Sequence, residues 1–305
     1  METAEDRLPN ESAREHNVPA PLTSMIGRAR ELEAVGEMLR RTRLVTLVGP
    51  GGVGKTRLAV ELARRRIGRP ADGVWLVDLT ARPATGPGPA AELARTLDVG
   101  GTSATEPLES LRRYLTRRDV LLVLDNCEHV VAECAELAAG LLGSCGEVRV
   151  LATSREPLGV SGETVWRLDP LAAEDAHRLF LERARQRQPE FIPGEDEDAT
   201  IVRLCARLDH LPLAIELAAT RIGFMSPAEI LSGLESRLDP LGGGSRLSPP
   251  RHRTVRATVE WSYDLLDRTE QRALRSLAVF VGGFSAEAAL AVGPALSLSV
   301  FRAAR

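Results

Sequence analysis

Residues 49–56 read Gly-Pro-Gly-Gly-Val-Gly-Lys-Thr and fit G-x-x-x-x-G-K-[ST] at every fixed position. No other stretch of the chain restricts its fold as tightly. The glycines let the backbone curl so that successive N–H groups converge on an anion. That curl needs a strand to deliver the chain and a helix to carry it away, its N-terminus facing the bound charge. Both flanks comply. Residues 43–48 (Arg-Leu-Val-Thr-Leu-Val) read as a strand, and a helix is expected from Lys55 to about Ile67. The competing reading, a chance glycine-rich turn, does not call for this strand–loop–helix context. Lys55 would reach the β- and γ-phosphates of a nucleotide as a flexible point charge. The Thr56 hydroxyl would fill one position around Mg²⁺.

The composition singles out the same lysine. Of 39 basic side chains one is lysine, Lys55, and the other 38 are arginine. A mutational bias toward GC-rich codons accounts for the skew. A lysine that survives such a bias needs a reason, because arginine cannot replace it where a compact ammonium is required.

Beyond the loop the pattern alternates. Strands are expected at 73–79, 120–124, 148–152 and 164–168. Helices are expected at 28–40, 90–97 and 107–117, and again around Val130, Cys134, Leu137 and Leu141. Five consecutive apolar residues at 120–124 indicate a strand buried on both faces. The alternation predicts an α/β fold with a mainly parallel sheet and helices on both faces, over residues 21–170. After Pro170 the pattern is helical only, at about 172–187, 196–208, 212–222 and 227–236. The acidic run 195–198 suits a helix start. Residues 239–250 (DPLGGGSRLSPP) read as a linker, 253–266 and 268–277 as further helices, and 277–280 as the start of a short strand. Residues 1–20 are polar and aperiodic and read as a disordered lead-in.

Two further elements carry chemistry. The run 120–124 ends at Asp125, where a Mg²⁺-binding carboxylate is expected; a turn residue or helix cap is the alternative. The next residue is Asn126, and an amide cannot accept a proton. Glu128 is near enough to substitute for an acid there, and equally fits an exposed acid at a helix start. Residues 148–155 form a strand ending in Thr153, Ser154 and Arg155, at the edge where open α/β sheets bind ligands. Arg155 is placed to sense a γ-phosphate through charge-assisted hydrogen bonds, or to make a surface salt bridge.

At these residues the chain resembles the NB-ARC-type ATPase module of the STAND class. The resemblance is nearest to the ATPase cores of bacterial LuxR-type transcriptional regulators. Six segments carry it: PLTSMIGR at 21–28, the phosphate loop through Ala59, LLVLDNCEH at 121–129, LATSREPL at 151–158, LPLAIELA at 211–218 and TVRATVEWSYDLL at 254–266. The resemblance implies a P-loop nucleotide-binding domain, a helical lid subdomain at 171–238, and a partial winged-helix subdomain at 251–305. It implies ATP or ADP as ligand and Mg²⁺ as cofactor. Ile26, Gly27 and Arg28 would pack near the adenine. Gly49, Gly51, Gly52, Val53, Gly54, Lys55, Thr56 and Arg57 would hold the phosphates, and Thr56 and Asp125 the metal. Lys55, Asp125 and Arg155 would serve hydrolysis. Pro212 would close on the base from the lid, and it also suits the first turn of a helix. Trp261 and Tyr263 would belong to the winged-helix core.

Two departures from the family pattern stand out. Asn126 replaces a second acid, which implies slow hydrolysis. Little sequence follows Phe284, so the second half of the winged helix and its ADP-contacting histidine are expected to be missing, and about 20 residues precede the ATPase segments.

A net charge of −3 provides no global attraction to nucleic acid or an anionic membrane. No apolar run approaches the roughly 20 residues of a membrane span, and residues 1–6 lack the basic and apolar regions of a signal peptide. Cys127, Cys134, Cys145 and Cys205 form no C-x-x-C pair and read as reduced, buried thiols of a cytoplasmic protein. The sequence therefore predicts an ATP/ADP-dependent switch with slow Mg²⁺-dependent hydrolysis, acting in signalling or transcriptional regulation through protein partners or self-association. A DNA-binding regulator acting through the winged-helix region ranks second. A vigorous NTPase or kinase ranks third, and DNA binding by this chain alone is not expected.

Overall fold

In a computed structural model the structure describes residues 16–80, 88–99, 107–235 and 268–277. The chain divides into two compact units, residues 1–238 and 239–305. In the first unit the elements run α1 (Ala29–Arg41), β1 (Leu44–Val48), α2 (Lys55–Arg64), β2 (Val74–Asp78), α3 (Pro89–Thr96), α4 (Pro107–Leu115) and β3 (Leu121–Asp125). A 3₁₀ turn, Cys127–His129, follows β3. Then come α5 (Val131–Ser144), β4 (Arg149–Ser154), β5 (Glu163–Arg167), α6 (Ala173–Arg187), α7 (Glu195–Arg207), α8 (Pro212–Ala219) and α9 (Pro227–Glu235).

The five strands form one parallel sheet in the order β2-β3-β4-β1-β5. Burial follows the pleat, which sends alternate side chains to opposite faces. Leu122, Leu124, Val150 and Leu44 enter one core with Leu93 of α3, Leu111 and Leu115 of α4, and Leu137 and Leu141 of α5. Leu121, Val123, Leu151, Val45 and Leu47 enter the other with Val35 and Leu39 of α1 and Leu58 and Leu62 of α2. A strand with apolar residues at every position is thus used on both faces. This is the doubly covered α/β sheet of a P-loop NTPase, as the alternation predicts.

The strand order matters for the site. Strand β4 lies between β1 and β3, so the residues ending all three strands share one edge of the sheet. Val48, just before the glycine loop, pairs with Ser154. Asp125 pairs with Asp78 at the end of β2. Expected and observed strand boundaries differ by a residue or two, and here the shift has content. Asp125, Thr153 and Ser154 are the final residues of their strands, held by the ladder, not the first residues of loops.

The helical part packs α6 on α8, α7 on α9, and α6 on α7. The acidic run 195–198 does start α7, where Glu197 accepts a hydrogen bond from the Gly194 N–H at 3.2 Å. Helices α2 and α8 end sooner than their apolar patterns suggest, because Ile67 (half-buried) and Ile222 (buried) pack inward from turns, outside the helices.

The expectation of a disordered lead-in through residue 20 needs correction at its end. His16 makes a parallel bridge to Val74. The Asn17 amide donates to Leu76 O at 2.8 Å and accepts from Leu76 N at 2.7 Å, and Val18 is buried in the α1–α2 core. The Asn17 side chain copies the hydrogen bonding of a strand and covers an exposed edge of β2. Residues 1–15 lie outside the described residues.

In the second unit the structure describes one helix, α10 (Arg268–Leu277), within the 268–277 stretch expected to be helical. The linker at 239–250, the 253–266 helix, Trp261, Tyr263 and all but the first residue of the 277–280 strand lie outside the described residues. Among the described residues no helix is long and apolar enough to cross a membrane.

Candidate functional site

The loop after β1 is shaped by its glycines. Gly52 and Gly54 have φ of +79° and +101°, a region that side chains other than glycine's rarely enter. A Cβ on Gly49 would stand 2.7 Å from the Leu168 carbonyl oxygen, so the loop passes directly over the end of β5. Val53 is fully buried and pins the loop to the α1–α2 core. Gly51 sits with Gly52 in the turn. Helix α2 then starts with no side-chain cap and no acidic residue in its first turn, so its N-terminal amides and dipole face the loop without a competing anion.

Lys55 is 8% exposed and bends back over the loop. Its Nζ donates to Gly49 O at 2.7 Å and to Pro50 O at 3.1 Å. The ammonium is therefore held at the mouth of the curl. Thr56 Oγ1 donates to Asp125 Oδ1 at 2.8 Å, which brings together the two residues expected to bind Mg²⁺. Two hard oxygen donors at one point fit that ion.

Asp125 is the electrostatic centre of the site. Its Oδ1 also accepts from Thr153 Oγ1 at 2.6 Å, and its Oδ2 accepts from Asn126 Nδ2 at 2.6 Å. Its carboxyl is raised to about 6, chiefly by burial; hydrogen bonds from Thr153 and Thr56 oppose that rise, and the nearby Asp78 and Glu128 carboxylates add to it. A carboxylate held in this way is costly to keep ionised without a cation.

Asn126 leaves the strand in the left-handed conformation, with φ +63°, which asparagine tolerates better than most residues. Its N–H donates to Thr153 Oγ1 at 3.0 Å and its amide reaches Asp78 Oδ1 at 3.4 Å. The turn packs on β4 and brings Glu128 to Arg155, the residue after that strand. There its side chain is 6% exposed and its Oε1 lies 3.6 Å from Arg155 Nε. The exposed helix-start acid, one of the two sequence readings of Glu128, is thereby excluded. A hydrogen bond with Cys134, and then burial, raise the Cys127 thiol well above its ordinary value, and burial alone pushes the Cys205 thiol of α7 up to about 12.

The remaining expected residues are placed around the loop in supporting positions. Arg28 is buried, and its guanidinium donates to Val53 O at 3.1 Å, Asp169 O at 2.7 Å and Glu31 Oε1 at 2.8 Å. It braces the phosphate loop against the chain leaving β5. Ile26 is half-buried in the segment before it. Arg57 turns away from the loop to Thr23 O at 2.6 Å and Thr23 Oγ1 at 2.8 Å, and pairs with Glu216 of α8 at 3.7 Å. Glu216 also accepts from Arg183 of α6 at 3.0 Å, and Arg183 donates to Ser24 O at 3.0 Å.

Pro212 opens α8, and the next residue meets the loop directly. Leu213 N donates to Gly52 O at 3.2 Å, and a Cβ on Gly52 would lie 3.0 Å from Leu213 Cβ. The helical part thus rests on the phosphate loop through backbone and side chain together.

Sequence reasoning assigned no role to Thr153, Asp78, Arg183 or Glu216. Asp78 had a usable signal, since it ends an apolar strand as Asp125 does. Thr153 was visible only as a polar residue ending a buried strand. The pairing of Arg57, Arg183 and Glu216 had no signal among so many arginines.

A family profile described as an AAA domain matches residues 39–155, the stretch that contains the loop, Asp125 and Arg155. The uncharacterised protein Rv0894 of Mycobacterium tuberculosis is 39% identical over 283 residues, which cover 92% of this chain and 71% of that protein. The HTH-type transcriptional regulator Rv0890c of the same organism is 45% identical over 266 residues, 87% of this chain but 30% of its own length. This chain therefore spans less than a third of that relative. Among solved structures, the Walker-type ATPase PABY2304 of Pyrococcus abyssi shares the fold with a TM-score of 0.52 at 15% identity, covering 88% of each chain.

Proposed function

We propose that this chain, which belongs to the P-loop ATPase family of the mycobacterial protein Rv0894, is an ATP/ADP-binding molecular switch of the NB-ARC/STAND type. Residues 21–170 bind the nucleotide, residues 171–238 form the lid, and residues 251–305 contribute a partial winged helix after a linker. In this reading the loop amides and Lys55 hold the phosphates, Thr56 and Asp125 hold Mg²⁺, and Arg155 reads the γ-phosphate. Bound Mg²⁺ would offset the cost of ionised, buried Asp125 and draw charge from the phosphates. Arg28 and Arg57 serve as braces for this machinery.

One observation carries the proposal: α8 is bonded to the phosphate loop through Leu213 N–H and Gly52 O. A ligand that orders the loop changes the surface on which the lid rests, and the Arg57–Glu216–Arg183 bridge ties the same lid to α2. Nucleotide state and lid position are then linked, and the ligand shifts the lid by its difference in affinity for the two arrangements. Asn126 cannot serve as a base, which supports slow turnover and a long-lived ATP form. A role in transcriptional regulation, with protein partners or self-association, is supported by the name of the regulator whose ATPase segment this chain matches.

The test is to purify the chain, denature it and identify the nucleotide released. Bound ADP supports the switch. No released nucleotide, together with no measurable ATP affinity in Mg²⁺, ends the proposal. Salt-sensitive DNA binding by this chain in a gel shift would favour the direct DNA-binding alternative.

A further inference from the structure

We propose that Glu128 is the proton acceptor for ATP hydrolysis at this site, and that Arg155 positions it. The assignment rests on the nucleotide-binding reading above. A base is needed to take a proton from the attacking water. Asn126 has none of the required chemistry, and its amide is committed to Asp125. Asp125 accepts from Thr56, Thr153 and Asn126, so its oxygens are already engaged.

Glu128 differs on each count. Its side chain is 6% exposed, three residues beyond Asp125 and close enough to raise that carboxyl electrostatically. Its Oε1 faces Arg155 Nε at 3.6 Å, beyond ordinary hydrogen-bond length. Its Oε2 is buried and accepts no hydrogen bond among the described residues. A buried carboxylate oxygen to which no protein group donates is expensive. It makes sense for a group whose donor arrives with the substrate.

Competition for Arg155 explains the timing. Without a γ-phosphate nearby, the guanidinium neutralises Glu128. A γ-phosphate at the loop competes for the same guanidinium, and Glu128 is left as an anion beside the water to be activated. The water oxygen then bonds to the γ-phosphorus while the bond from that phosphorus to the β–γ bridging oxygen breaks. The water proton passes to Glu128, which later releases it to solvent. The bridging oxygen leaves as part of ADP.

The test uses the full chain with Mg²⁺ and ATP, and reads turnover, ATP and ADP affinity, and melting temperature. Glu128→Gln should lower turnover by about 10²-fold or more, with ATP affinity within about threefold and an increased preference for ATP over ADP as Arg155 loses its carboxylate partner. Glu128→Ala should be equally slow, and added formate should restore part of its turnover without changing its melting temperature. Turnover of Glu128→Gln within about tenfold of wild type, short of the roughly 10²-fold that a base contributes, overturns the assignment. A loss that follows ATP affinity or melting temperature, or that formate leaves unchanged, marks a structural role and also overturns it. Wild type that binds ATP without hydrolysing it removes Glu128 alone, whereas wild type that binds no ATP removes the nucleotide reading itself.

Discussion

Asp125→Asn distinguishes a carboxylate kept for a cation from one kept for the fold. Asp125 is 3% exposed, and burial lifts its carboxyl from the ordinary 3.8 to about 6. A folded value above the unfolded one means that the folded chain favours the protonated form. The resulting stability is fully present below about pH 3.8 and is lost as pH rises through about 6. A shift of about two units corresponds to roughly 3 kcal/mol, and about half of it is lost between about pH 5 and about pH 8. Replacing the carboxylate by an amide removes this penalty. Two amides then meet at Asn126, and one mismatched hydrogen bond costs about 1–3 kcal/mol. The variant without Mg²⁺ should therefore gain on wild type by roughly 1–2 kcal/mol between about pH 5 and about pH 8, whatever the constant offset from the amide mismatch. Urea unfolding of both proteins in EDTA across that range measures the difference directly. The same variant should lose the extra stability that Mg²⁺ confers on wild type. A stability difference between the two proteins that does not change with pH would refute the electrostatic reasoning.

Other substitutions probe the rest of the site. Lys55→Arg should abolish nucleotide binding in a fluorescent-nucleotide titration although the charge is kept, because a guanidinium cannot fold into the curl at Gly49 and Pro50. Gly52→Ala should cost about 1–3 kcal/mol from its positive φ, and it should expose α8 to limited proteolysis by pushing Leu213 off the loop. Arg28→Lys should lower the melting temperature and weaken nucleotide affinity together, since an ammonium has no second nitrogen to hold Glu31 Oε1 while the first serves Val53 O and Asp169 O. Thr153→Val should weaken Mg²⁺ binding, measured by titration calorimetry with nucleotide present, more than it weakens binding of nucleotide alone, because it removes the donor that favours ionised Asp125.

The sequence by itself determined the sheet, the loop and the residues at its mouth. Apolar runs such as 120–124 are strong signals because a doubly covered strand has no polar face to dilute them. The glycine–lysine pattern is equally clear, because backbone curl and phosphate charge leave little choice of residue. Tertiary structure decided what lies across the fold. Asn17 belongs to the sheet because β2 has an edge to cover, and nothing local in residues 1–20 announces that edge. Arg28 and Arg57 carry the same charge as Arg155, yet two became braces and one met a buried acid, since an arginine's role is set by the acceptors that packing brings within its reach. Glu128 could be read as exposed or functional until the left-handed turn at Asn126 brought it, buried, to Arg155. Local rules of propensity and motif act over a few residues, whereas burial and pairing depend on contacts such as Arg57 with Glu216 and Leu213 with Gly52, far apart in the chain and adjacent only once it has folded.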